Sequence, residues 1–245
     1  MVDNRFDWGV TRVTPKQFKR QVNYLVENDY TVQTLSDYIT ASDMNSNQKR
    51  VCITFDDAYD SVYKWAFPIM AEFGVRGTLF IISGYVGKNN SWDVNLGWKY
   101  FKHLDWRQIN LLINAGWEIG SHTVSHRDLT LLTPSELKIE LELSKSIIEK
   151  KSNQKINIIS YPFGKVNANV TKAVQSADYH YGVKMDMNHK NLAPQYCIPR
   201  IGVYLFDSIW TFKQKVDEQN QWFHKIIQRA INFCSTGSII VKEKL

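Results

Sequence analysis

Short runs of apolar and β-branched residues alternate along this chain with segments whose apolar residues recur at helical spacing. Such runs are typical of strands that are buried on both faces of a parallel sheet, because helices cover that sheet on each side. The alternation therefore predicts an α/β fold, with a mostly parallel sheet or barrel, in one domain over residues 1–245. The predicted strands cover residues 51–55, 77–82, 117–120, 156–160 and 179–184.

The helices predicted between these strands begin and end at recognisable signals. Thr14 is a capping hydroxyl followed by Pro15 at the first helical position, and Thr133 with Glu136 forms a capping box. Gly116 follows a helical pattern directly, as a glycine at the end of a helix does. Further helical patterns cover residues 61–73, 108–115 and 167–176.

Composition excludes several classes of protein. With 44% hydrophobic and 22% charged residues, the chain is expected to be globular rather than disordered, collagen-like or a coiled coil. No apolar stretch reaches the roughly 18–20 residues that cross a bilayer, and the first residues lack the apolar core of a secretory signal. The net charge is +6, but the 30 Lys and Arg residues are dispersed, which favours a solvated surface over a nucleic-acid interface. The three cysteines form no CxxC pair, so free thiols are predicted rather than a disulfide framework.

Polar residues follow three of the predicted strands, and the first group is Asp56-Asp57. In parallel α/β folds the carboxyl ends of the strands gather at one edge, where binding sites form. Adjacent carboxylates on an extended chain point in alternate directions, so one can bind a metal while the other faces a bound water. The alternative is that the pair caps a helix or forms a turn.

His122 and His126 follow the third predicted strand at a spacing of four residues. On a helical turn this spacing places both imidazoles on one side, the geometry that clamps zinc, whereas capping or solvent-exposed histidines are the alternative. With Asp57 they offer two nitrogens and one oxygen, and they leave positions for water and substrate, as in a catalytic metal site. The other histidines are predicted to be surface or hydrogen-bonded core residues, and these are His103, His180, His189 and His224.

A third group, Tyr161 to Gly164, follows the fourth predicted strand, where Pro162 and Gly164 favour a tight turn or a simple strand exit. The order of Thr54-Phe55-Asp56-Asp57, His122-x3-His126 and Tyr161-Pro162-Phe163-Gly164 resembles the NodB-homology polysaccharide deacetylases, carbohydrate esterase family 4. Within that family the chain looks closest to the branch that acts on exported or biofilm polysaccharides. The resemblance implies a single-domain distorted (β/α) barrel with mostly parallel strands.

The resemblance also implies a role for each matching residue. Asp57, His122 and His126 match the metal triad of the family, for which Zn²⁺ is the usual ion. Asp56 matches the general base that takes a proton from the attacking water, and the N–H of Phe163 matches the donor to the oxyanion. The implied reaction removes N-acetyl groups from a GlcNAc-containing polysaccharide and releases acetate. There are two alternatives. The same metal centre acts on an O-acetyl ester or a non-sugar amide, or the chain is a weakly catalytic glycan-binding domain.

The sequence departs from the family pattern in three places. Ala58 stands where the family usually has glycine, which is a mild change if the backbone angle is ordinary. Ser160 stands where an Arg often pairs with the base, and we hypothesise that Arg200 orients Asp56 instead, a surface Arg being the alternative. The His that serves the family as general acid is not found. The chain then lacks a native N-terminal strand, is weakly active, or takes the proton from another group.

Aromatic residues are the predicted contacts with the sugar. Tyr161, Trp92 and Trp98 are assigned to substrate binding, since aromatic faces stack on pyranose rings, while burial in the core is the alternative for the tryptophans. The expected partner is an acetylated glycan, with neither nucleic acid nor a membrane span, and the oligomeric state is not predicted. The resemblance implies the cell envelope or secretion. Because the first residues lack a secretory signal, the expectation is that the signal has been cut away or that the protein stays in the cytoplasm.

Overall fold

A parallel sheet forms the centre of the computed structural model, which describes residues 1–5, 11–41, 48–91, 100–185 and 192–217. In chain order the strands are β1 (Thr31–Gln33), β2 (Arg50–Cys52), β3 (Thr54–Phe55), β4 (Thr78–Ile81), β5 (Glu118–Ser121), β6 (Ile158–Ser160), β7 (Tyr181–Lys184) and β8 (Ile198–Pro199). Among the described residues, β3 to β8 form one six-stranded sheet in consecutive order, and every neighbouring pair is parallel. The sheet curls into an open half barrel, which confirms the predicted α/β barrel fold.

The predicted strand over residues 51–55 is divided between two sheets. β2 pairs with β1 in a separate parallel pair, whereas β3 pairs with β4. At the junction, the carbonyl oxygen of Ile53 accepts a hydrogen bond of 3.0 Å from the amide of Thr78. The prediction of one continuous strand was therefore wrong, because an apolar run indicates burial while the partner strands decide which sheet a segment joins.

The helices cover the sheet in the predicted alternation. They are α1 (Pro15–Glu27), α2 (Leu35–Thr40), α3 (Phe67–Glu72), α4 (Trp106–Asn114), α5 (Pro134–Lys138), α6 (Ser144–Ser152), α7 (Ala168–Ser176) and α8 (Ile209–Val216). A π-helical turn, Val62–Ala66, leads into α3, and a second one, Ile139–Leu143, joins α5 to α6. Within the described part of the chain, no helix combines the length and the apolar character that crossing a bilayer requires.

The capping signals of the sequence are present at two of these helices. Thr14 and Gln17 form a capping box at the start of α1, and Thr133 and Glu136 form one at the start of α5. Such a cap stabilises a helix by about 1 kcal/mol, because it satisfies amides that have no partner within the helix.

The hydrophobic core lies between the sheet and the helices. Every residue of β4 is buried, and Leu79 and Ile81 are 0% exposed. Phe55 of β3 stacks on Trp117 just before β5, with ring centroids 5.5 Å apart. Burial of one such side chain contributes about 1.5–3 kcal/mol. This packing holds the strands in register, and it thereby places the loops that follow their carboxyl ends.

Candidate active site

A left-handed turn directly after β3 carries the second aspartate. Asp57 and Ala58 have φ angles of 68° and 53°, a region that residues other than glycine adopt rarely. The condition under which Ala58 would be a mild replacement for glycine is therefore not met, because its backbone angle is left-handed. His103 holds the turn, since its Nδ1 lies 2.6 Å from the carbonyl oxygen of Asp57.

His103 belongs to the hydrogen-bonded core, one of the two alternatives that the sequence left open. It is 1% exposed, and its ring stacks on that of Tyr59 with centroids 4.9 Å apart. Burial lowers the pKa of His103 below its ordinary value, because the charged imidazolium would lose its hydration. The neutral ring therefore donates from Nδ1 to the Asp57 carbonyl.

The two predicted metal-binding histidines lie in the loop after β5 rather than on a helical turn. Thr123 and His126 have φ angles of 68° and 58°, and these two left-handed residues bend the loop back on itself. The ring centroids of His122 and His126 lie 4.8 Å apart, and the ring planes are inclined at 71° to each other. The helical geometry expected from the spacing of four was wrong, but the loop brings the two imidazoles together in another way.

Asp57, His122 and His126 converge on one point. Asp57 Oδ1 lies 3.4 Å from His122 Nε2 and 3.5 Å from His126 Nε2. His122 Nδ1 donates to the carbonyl oxygen of Ser160 at 2.7 Å, so this nitrogen carries the proton and Nε2 presents a lone pair. Among the described residues, buried Asp57 Oδ1 has no hydrogen-bond partner. Facing lone pairs of this kind repel one another unless a cation lies between them, and the donor set fits a divalent metal ion.

The pKa shifts of Asp57 and His122 agree with a cation-binding site. Burial by itself raises the pKa of Asp57, but the nearby His122 and His126 outweigh it and lower that pKa. Burial lowers the pKa of His122, but Asp57 and Asp56 outweigh it and raise that pKa. Both shifts have the same cause, the closeness of carboxylates and imidazoles, and the same carboxylates would stabilise a cation bound between them.

Asp56 faces Arg200 across the opening of the half barrel. Arg200 directly follows β8 and Asp56 directly follows β3, the two ends of the strand order. Nη1 and Nη2 of Arg200 each donate 2.8 Å hydrogen bonds to the two carboxylate oxygens of Asp56. The same guanidinium donates to Thr54 Oγ1 at 2.9 Å and to Ser160 Oγ at 2.7 Å. Burial opposes the ionised form of Asp56, but the charge of Arg200 outweighs it and holds the pKa of Asp56 well below its ordinary value.

Phe163 lies beside His126, in a turn after β6. Its φ of 58° is left-handed, and its ring packs edge-on against His126 with centroids 4.7 Å apart. Tyr161, two residues earlier, points the other way: it is 1% exposed, and its hydroxyl donates to the carbonyl oxygen of Tyr196 at 2.9 Å. This placement contradicts the prediction that Tyr161 contacts the substrate, because the ring is enclosed in the core.

The structure therefore brings together six of the predicted site residues, and these are Asp56, Asp57, His122, His126, Phe163 and Arg200. Trp92 and Trp98, predicted to contact the sugar, lie outside the described residues. The sequence did not indicate that His103 binds the Asp57 carbonyl, or that Thr54 and Ser160 accept hydrogen bonds from Arg200. Ser160 ends one predicted strand and Thr54 is the last residue but one of another, so their place near the site was open to prediction, whereas no sequence signal indicates the place of His103.

Comparisons with known proteins agree with this geometry. The family model for polysaccharide deacetylases matches residues 43–182, which is more than half of the chain. The Bacillus subtilis (strain 168) protein YxkH is 31% identical over 174 residues, which make up 70% of this chain and 58% of YxkH. The poly-beta-1,6-N-acetyl-D-glucosamine N-deacetylase of Staphylococcus epidermidis is 29% identical over 205 residues, or 77% of this chain and 67% of that protein.

The fold is shared with a solved structure as well. The Streptococcus pyogenes deacetylase PplD, solved in complex with acetate, superposes with a TM-score of 0.73 at 23% sequence identity. The superposition covers 86% of this chain and 89% of PplD. At this identity the likeness concerns the fold alone. The match to the family model covers all three residue groups that follow the strands, but it ends before Arg200. The chain belongs to the polysaccharide deacetylase family.

Proposed function

We propose that this protein is a metal-dependent hydrolase that removes N-acetyl groups from a GlcNAc-containing polysaccharide and releases acetate. The observation that carries the proposal is the convergence of Asp57, His122 and His126 beside the Asp56–Arg200 pair. The Staphylococcus epidermidis relative is a poly-beta-1,6-N-acetyl-D-glucosamine N-deacetylase, which supports an N-acetylglucosamine polymer as the substrate.

Asp57, His122 and His126 would hold the metal, for which we propose Zn²⁺. Two imidazole nitrogens and one carboxylate oxygen are a common ligand set for catalytic zinc, because they leave positions for water and substrate. When bound, a divalent ion supplies a Lewis acid for the acetyl carbonyl and lowers the pKa of a coordinated water.

Asp56 is the proposed general base. Arg200 holds both of its oxygens, so the carboxylate is fixed in orientation and stays ionised at neutral pH. Water adds its oxygen to the acetyl carbon and gives its proton to Asp56, and the C–N bond then breaks. We propose that protonated Asp56 returns the proton to the leaving nitrogen, because the charge of Arg200 favours the ionised form.

Phe163 is the proposed oxyanion donor. Its ring packs against His126 and its backbone is left-handed, and we infer that the N–H of this turn points to where negative charge develops on the acetyl oxygen. Loss of one such donor typically costs about 3–4 kcal/mol of transition-state stabilisation.

The proposal extends to the organisation and location of the protein. We assign the activity to one domain over residues 1–245, which spans 58% of YxkH and 67% of the staphylococcal enzyme. A polymer of N-acetylglucosamine as substrate, together with the resemblance to enzymes of exported polysaccharides, supports a location at the cell envelope or outside the cell.

Acetate release from defined substrates tests the proposal. Zn²⁺-loaded protein is incubated with β-1,6-linked and β-1,4-linked GlcNAc oligomers, with an O-acetylated sugar, and with each of these plus a chelator. We expect chelator-sensitive acetate release from at least one GlcNAc oligomer, and its loss in Asp56→Asn but not in Asp37→Asn, a surface control. Release from the O-acetyl sugar alone, or glycan binding with no acetate, would contradict N-deacetylation.

A further inference from the structure

The loop that carries both histidines needs partners for its buried amides. The backbone amides of Val124 and Ser125 donate to one oxygen of Glu140, Oε2, at 2.8 and 2.9 Å. The hydroxyl of Ser125 donates to the other oxygen, Oε1. One carboxylate therefore receives three hydrogen bonds from two consecutive residues between His122 and His126.

Glu140 is an unusual residue for its position. It lies in the π-helical turn Ile139–Leu143 and is only 5% exposed, on the buried face that also carries Leu137 and Leu141. Among the described residues, no Lys or Arg forms an ion pair with Glu140. A buried carboxylate is costly unless hydrogen bonds replace its hydration, and here the histidine loop supplies them.

Ser144 makes a second contact one helical turn further on. Its hydroxyl lies 2.8 Å from the hydroxyl of Ser121, and both side chains are 0% exposed. Ser121 Oγ in turn accepts the amide of Thr123 at 3.2 Å. The helix thus reaches the start of the loop through Ser144 and its middle through Glu140.

The opposite side of the loop is fixed by backbone. The amides of Ser83 and Gly84 donate to the carbonyl oxygens of Thr123 and Val124, both at 3.0 Å. A Cβ at Gly84 would lie 2.6 Å from the Val124 oxygen, so the approach is too close for any side chain. Left-handed residues such as Thr123 and His126 persist only where the surroundings determine their conformation, and the loop is held from both sides.

We propose that Glu140 and Ser144 form a brace that holds the loop in the conformation in which both histidine side chains face Asp57. Glu140 is the main positioning residue, because it binds the loop between the two histidines. This inference rests on the proposed function only for its consequence, metal affinity. Loss of an outer partner of this kind typically weakens metal binding about 10–100-fold, because the ligands are no longer held in place.

Amide hydrogen exchange and Zn²⁺ titration of the full chain test the brace. The variants are Glu140→Ala, Glu140→Gln and Ser144→Ala, and the control is Glu142→Gln, whose side chain on the same π-helical turn is 49% exposed. Exchange at Val124 and Ser125 is measured with and without Zn²⁺, and thermal unfolding is followed in parallel.

We expect Glu140→Ala to speed exchange at these two amides by at least about 10-fold without Zn²⁺ and to weaken Zn²⁺ binding about 10–100-fold. Glu140→Gln keeps a carbonyl acceptor but loses the charge, so its effects should be intermediate. The control should match the wild type in both measurements. If Glu140→Ala does not fold, the decision rests on Glu140→Gln. Exchange rates and a Zn²⁺ affinity equal to those of the wild type in that variant would overturn the proposal.

Wild-type exchange at both amides in a folded Glu140→Ala protein also overturns the proposal, as does an equal effect of Glu142→Gln. The exchange measured without Zn²⁺ is independent of activity. A wild-type chain that binds no Zn²⁺ and releases no acetate would refute the proposed function, while the exchange rates would still decide whether Glu140 holds the loop.

Discussion

Replacing Arg200 by alanine removes the one guanidinium that holds Asp56 in the described structure. The change breaks both hydrogen bonds to the carboxylate and those to Thr54 and Ser160. It leaves Asp56 with the desolvation that Arg200 had balanced, so the variant should lose both stability and activity.

The size of the stability loss follows from the exposure of the pair. Removing one partner of a fully buried ion pair costs about 3–5 kcal/mol, because the remaining charge is uncompensated. The side chain of Arg200 is 10% exposed, but that of Asp56 is 29% exposed, so water can solvate part of the remaining carboxylate. We therefore expect a loss of about 2–3 kcal/mol in the free energy of unfolding. We also expect kcat for acetate release to fall roughly 100-fold with KM little changed, since the base is misplaced.

Urea unfolding at neutral pH and acetate-release kinetics measure these effects. The matched control is Arg127→Ala, because Arg127 pairs with Glu136 at 3.0 Å but is 51% exposed. A surface pair of this kind contributes about 0–1 kcal/mol. If Arg200→Ala is no more destabilising than the control and keeps its kcat, the guanidinium neither stabilises nor orients Asp56, and the reasoning is wrong.

Three further predictions follow from the same geometry. The difference in unfolding free energy between wild type and Arg200→Ala should be full above about pH 4, the ordinary pKa of Asp. It should narrow as the pH falls toward the lowered pKa of Asp56 in the folded protein, because protonation removes the charge that Arg200 pairs with. A difference that grows in acid contradicts this. Asp57→Asn should weaken Zn²⁺ binding by more than the roughly 10–100-fold typical of an outer partner, and calorimetry showing wild-type affinity would rule out the triad. Tyr161→Phe should cost about 1 kcal/mol of stability, because the Tyr196 carbonyl loses its donor, with KM for the glycan unchanged. A clear rise in the KM for the glycan would instead support the predicted contact between Tyr161 and the substrate.

Local signals made much of the fold predictable. The capping pairs at Thr14 and Thr133 act within three residues, so the sequence contains both partners side by side. Apolar runs likewise identified β4, whose four residues are all buried. Features that depend on neighbours in the sheet were not accessible, and the division of residues 51–55 between two sheets is one of them.

The candidate site shows the same limit at the level of side chains. The spacing of His122 and His126 indicated that they bind one metal ion, but two left-handed residues rather than a helical turn bring the rings together. Glu140 lies 15 residues beyond Ser125 in the chain, in a helix whose pattern by itself gives no reason for a buried carboxylate. Tyr161 was misread because a strand exit does not reveal which way its first side chain points.

The sequence by itself determined the alternation of strands and helices, their caps, and the set of polar residues that follow the strands. Only the tertiary structure decided that Arg200, 144 residues from Asp56, binds both of its carboxylate oxygens. The reason is physical: caps and periodicity act within one or two turns of the chain, whereas contact between the ends of β3 and β8 depends on how every intervening strand packs and curls.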